Sequence, residues 1–158
     1  MWTDEPPGDP TRTLMQPHER EAAQRIAEEH QRLRSVLAAV EEAVAPARDP
    51  VAALVSTLAF DHRWMQRQLV DLLRARGASP TTELDDVLGD SGPEATRPDS
   101  VATMLARVEE DERSLQTALQ TARREATTAA FDVVMAEQAQ HTRAHLRRLK
   151  RVRDAQSS

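Results

Sequence analysis

The chain has no cysteine, no tyrosine, four glycines in 158 residues, and an aromatic content of 3%. Each shortage excludes something. Without cysteine there is no disulfide, no thiolate zinc site and no cysteine nucleophile. So few aromatic and β-branched residues argue against a β-sandwich or barrel. No apolar run approaches the roughly 18 residues of a membrane span. A Gly-rich phosphate loop, a nucleophile elbow and a Ser/His/Asp signature are all missing, so no catalytic class is read from motifs.

What the chain does have is 39% hydrophobic and 30% charged residues, with Ala, Leu, Glu, Arg and Gln prominent. These are the good helix formers. The length suits one domain able to bury its own core. The formal net charge is −5 with both signs interspersed, which gives no footprint for nucleic acid. Residues 1–16 hold Asp, Glu, Pro and Gly but no apolar h-region. They read as a disordered tail rather than a signal peptide, and 154–158 as a second tail. A soluble, cytoplasmic protein is the expectation, with neither nucleic acid nor membrane as a partner.

Four segments show helical periodicity. The first spans about 17–45, with Ala22, Ile26, Leu33, Leu37, Val40 and Val44 on one stripe. Pro46 and Pro50 end it, and Asp49-Pro50 is a good start for a second helix over 50–76. That helix carries Leu54, Leu58, Met65, Leu69 and Leu73. Residues 77–98 hold three glycines and three prolines and read as a linker, with one short turn at Leu84–Leu88. The third helix spans 99–125, with Val101, Leu105, Val108, Leu115 and Leu119. The fourth spans 127–153, with Phe131, Val134, Met135, Leu149 and Val152. Only Thr127-Thr128 separates the last two.

Helices of about 26 residues, or roughly 39 Å each, bury their stripes against one another as an antiparallel four-helix bundle over 17–153. The linker, when extended, reaches about 70 Å and can cross the whole bundle. A long crossover between the second and third helices is therefore expected; up-down-up-down order is the alternative. Helix one (RIAEEHQRLRSVL from Arg25) and helix three (RVEEDERSLQTAL from Arg107) share a pattern, as two copies of one helical hairpin would.

Each stripe is interrupted near its middle by polar residues: His30, His62, Glu112, then Gln138, His141 and His145. One reading brings the imidazoles and Glu112 together on iron, manganese or zinc, as bundle interiors do. Its ligands are His30, His62, Glu112, His141 and His145, with Gln66 and Gln138 orienting them. The other reading is a metal-free layer of mutually bonded polar groups. Trp64 beside that layer suits a bundle edge or a homodimer interface.

The paired hairpins, the long crossover and the segment FDHRWMQRQLVDLLRARGASPTTELDD from Phe60 resemble the ferritin-like superfamily, including small bacterial bundles. That resemblance implies Glu-x-x-His on helices two and four. Here the positions read Ala59-x-x-His62 and Gln138-x-x-His141, which implies a degenerate or absent metal site in a stress-associated binding protein. The pattern His30, His62-x-x-x-Gln66, Glu112, His141-x-x-x-His145 is also similar to the hemerythrin-like cation-binding domain. That likeness implies a bundle binding iron or oxygen. A metal-free structural or interaction bundle remains the third expectation; a small-molecule ligand is not readable.

Overall fold

The computed structural model describes residues 15–44, 50–75 and 100–157. They form four helices: α1 (Pro17–Val44), α2 (Pro50–Ala75), α3 (Val101–Arg124) and α4 (Ala129–Ser157). The expected turn at Leu84–Leu88 and most of the N-terminal tail lie outside the described residues. Met15, expected in that tail, is buried in the core, and α4 runs on to Ser157, inside the expected C-terminal tail.

The helix directions follow from a few contacts. Five residues between α1 and α2 span at most about 20 Å, half a helix length, so the two are antiparallel. His18 at the start of α1 donates from Nε2 to the Glu125 carbonyl at the end of α3, 2.8 Å away, so α1 and α3 are antiparallel. Asp61 pairs with His145, and Gln68 with Glu137, so α2 and α4 are antiparallel too. The packed pairs are α1–α2, α3–α4, α1–α3 and α2–α4. Consequently α2 and α3 run parallel across the diagonal. Ala75 and Val101 therefore stand at opposite ends of the bundle.

The core is the sum of the four stripes. Ile26, Leu33, Leu37 and Val40 of α1 meet Leu54, Leu58, Leu69 and Leu73 of α2. Leu105, Val108, Leu115 and Leu119 of α3 and Phe131, Met135 and Leu149 of α4 close the other side. Ser100 caps α3: its Oγ accepts the Thr103 amide at 3.1 Å.

The turn between α3 and α4 has neither glycine nor proline because α1 supplies its cap. Buried Glu19 accepts the amides of Thr127 and Thr128 at 2.9 and 3.0 Å, and the Thr128 hydroxyl at 2.7 Å. It also accepts the Gln16 amide at the start of its own helix. One carboxylate thus caps two helices. Burial pushes its carboxyl up, but the bonds from Gln16, Thr128 and Thr127 outweigh that and bring it down to about 2.

Candidate metal centre

At mid-height each helix gives a core position to a polar side chain. His30, His62 and Glu112 are wholly buried, and His145 is 1% exposed. Such burial is costly unless the groups are bonded. Here they bond to one another.

Glu112 is the hub. Its Oε1 meets His62 Nε2 in a short contact and His145 Nδ1 at 3.1 Å. The far side of each imidazole is also held. His62 Nδ1 faces His30 Nδ1 at 2.8 Å, and His30 Nε2 lies 2.9 Å from Gln138 Oε1. The Gln138 amide nitrogen donates to the Met65 carbonyl at 3.0 Å and to Gln68 Oε1 at 2.9 Å. His145 Nε2 lies 2.8 Å from Asp61 Oδ2, on the half-exposed side of α2. A continuous hydrogen-bonded line therefore runs from Asp61 at the edge, through His145, Glu112, His62 and His30, to Gln138.

The charges along this line follow from what each nitrogen faces. Both nitrogens of His145 face carboxylate oxygens, so the ring is held as a cation. Burial lowers the His145 pKa, but the hydrogen bond and charge of Glu112, then those of Asp61, outweigh it and the pKa rises. Burial raises the Glu112 pKa, while the His62 charge and the bonds from His145 and His62 bring it below its ordinary value. The His62–Glu112 contact needs one proton between the two atoms. His30, by contrast, is held neutral: burial, then the His62 charge, lower its pKa to about 3.

The donor set fits a single divalent ion. His62, Glu112 and His145 each offer one ligand atom, and these atoms lie within 4.8 Å of one another. They come from α2, α3 and α4. Two imidazoles and one carboxylate form the facial set that suits non-haem iron(II), and manganese or zinc accept the same donors. Glu112 Oε2 is buried with no hydrogen-bond partner among the described residues, an orphan that a cation would satisfy. A dinuclear centre does not fit. It needs carboxylates bridging two ions, and among the described residues Glu112 is the one carboxylate of the cluster.

The structure brings together three of the five expected ligands, with His30 directly behind His62. His141 stands apart. It is half-buried and lies edge-on to Trp64, ring centroids 5.6 Å apart. Phe131, Met135, Gln138, Thr142, His145 and Leu149 are buried on α4 at spacings of four, three, four, three and four, with Ala139 buried beside Gln138. Thr142 takes the core position, and its hydroxyl donates back to the Ala139 carbonyl at 3.0 Å. Gln66 is buried one turn from His62 but accepts from Arg34 Nη1 at 2.7 Å rather than touching the cluster. Gln138 does join the network, through His30. Asp61 was not among the expected residues. Its only sequence signal is its place beside His62, since it lies off the apolar stripe.

Fold and cluster together define a class: an antiparallel four-helix bundle with a buried histidine–carboxylate centre. The chain matches no protein-family model, and no curated protein matches it.

Proposed function

We propose that the bundle is a metal-binding protein that holds one divalent cation on His62, Glu112 and His145. The observation that carries this reading is the convergence of three buried ligand atoms from three helices, beside a carboxylate oxygen with no partner. Iron(II) is the ion that this facial donor set suits best, with manganese and zinc as competitors. Three protein ligands leave coordination positions open, so the ion would supply Lewis acidity or a place for a small ligand. The protein's part is to keep that position dry and its two imidazoles aimed.

The test is the metal content of protein grown with iron, manganese and zinc, with a melting curve before and after chelation. One ion per chain is expected. At 100 times the dissociation constant, a ligand specific to the folded state stabilises it by about 2.7 kcal/mol, or roughly 5–10 °C in Tm. His62→Ala should abolish both the metal and the shift.

A metal-free polar layer is the competing reading. It is favoured because every ring nitrogen of His30, His62 and His145 already has a partner. It requires no metal, no chelator effect, and a double His62→Leu, His145→Leu replacement that leaves stability intact or raises it.

A further inference from the structure

We infer that Gln138 and His30 are positioning residues that dictate which nitrogen of His62 is available to the metal. The inference rests on the metal reading above and assigns roles to two residues outside the ligand set.

His62 Nε2 is the nitrogen that faces Glu112. To bind a cation it must present a lone pair, so the neutral ring must carry its proton on Nδ1. That N–H points at His30 Nδ1, 2.8 Å away, which must then be bare. The His30 proton therefore sits on Nε2, whose neighbour at 2.9 Å is Gln138 Oε1. An amide can be turned end for end, which would offer His30 a donor instead. Here it cannot, because the Gln138 nitrogen lies 3.0 Å from the Met65 carbonyl, a backbone acceptor with no second orientation. Turning the amide would set two oxygens against each other inside the core.

One fixed carbonyl thus determines the Gln138 orientation, then the His30 tautomer, and then the His62 tautomer. His145 is held differently. Its Nδ1 faces Glu112, and its Nε2–H points to a carboxylate, Asp61. Two ligand imidazoles are therefore oriented by two unlike partners, a neutral buried relay on one side and a charge at the edge on the other.

The experiment compares cobalt(II) affinity and absorption in the full chain, its Gln138→Leu variant and its Gln138→Glu variant. His62 tautomers in the zinc-loaded proteins are read from nitrogen–proton correlation spectra. Gln138→Leu removes the acceptor and should weaken cobalt binding by about 10–100-fold, with His62 losing its single tautomer. Gln138→Glu, as the neutral acid, donates its O–H to the Met65 carbonyl in place of the amide nitrogen and keeps an acceptor oxygen for His30, so it should recover most of the affinity and the wild-type tautomer. Should Gln138→Leu fail to fold, His30→Leu removes the acceptor one link nearer and should show the same loss. If the wild-type chain takes up no cobalt, the metal reading fails and this inference with it. If wild type binds, but Gln138→Leu binds equally with an unchanged His62 tautomer, the inference alone is overturned. Equal losses in the leucine and glutamate variants would also overturn it, because the side chain would then act by packing.

Discussion

At the scale of single residues, the informative positions are those where a core stripe turns polar. His30 illustrates what burial does to such a residue. It is neutral when folded, with its pKa brought down to about 3 by burial and by the His62 charge, whereas in the unfolded chain it titrates near 6.5. Between those values the unfolded chain takes up a proton that the folded chain refuses. His30 therefore stabilises the fold above pH 6.5, and that contribution is lost as pH falls toward 3, at up to about 1.4 kcal/mol per unit. His145 works in the opposite sense. Its pKa is raised, so its contribution is full below 6.5 and is lost as pH rises through the folded value. In metal-free protein, the stability difference between wild type and His30→Gln should shrink as pH drops from 6.5 to 4, measured by denaturant unfolding. A difference that stays constant would show that His30 is protonated in the fold. His30, His62, Glu112 and His145 were legible because each continues an apolar period. His141 lies one position off that period, in the place beside buried Thr142, and a stripe only one residue wide in error puts a surface histidine in the core. Asp61 was illegible for the converse reason: it reaches the site from the flank of its helix, where periodicity predicts solvent.

Among the elements, the α3–α4 turn shows how a boundary can exist without a local signal. Glycine and proline mark turns because they act on their own backbone. The cap on Thr127 and Thr128 comes instead from Glu19, 108 and 109 residues away in the chain. Reading residue by residue finds only the Thr127-Thr128 pair, while the reason for the break lies on another helix. Replacing Glu19 with Ala would strip three amides and two hydroxyls of an ionised acceptor in one change. Hydrogen bonds to a charged group contribute more than neutral ones, and lost caps cost about 1 kcal/mol each, so a loss on the order of 2–3 kcal/mol is expected. The Glu19 carboxyl is brought down to about 2, so its contribution is present above pH 4.5 and is lost as pH falls through that lower value. Chemical denaturation at pH 7 and pH 3 checks both statements. A Glu19→Ala variant within 0.5 kcal/mol of wild type, roughly the noise of a surface change, would mean that water caps α4 equally well.

For the whole molecule, the helix directions agree with the long connection expected from loop length, because α2 and α3 run parallel and the end of α2 and the start of α3 stand at opposite ends of the bundle. The polar layer is also a property of the whole. No helix holds it alone, and every helix contributes at the same height. Its charge balance makes the sharpest prediction. Without metal, two protons, one in the His62–Glu112 contact and one held by His145 between Glu112 and Asp61, offset two carboxylates. With a divalent ion on His62, Glu112 and His145, those two ligand nitrogens become bare, two protons leave, and the buried charge is again zero. A core of low dielectric strongly favours such an even exchange over one that leaves a net charge behind. Calorimetric titration, repeated in buffers of different ionisation enthalpy, should therefore count about two protons released per ion bound. The affinity should fall as the pH is lowered, because protons compete with the ion for His145, whose pKa is raised chiefly by Glu112 against the effect of burial. Release near zero would mean that the ion sits elsewhere and leaves the layer protonated, so that the histidines and Glu112 serve the fold and not the metal.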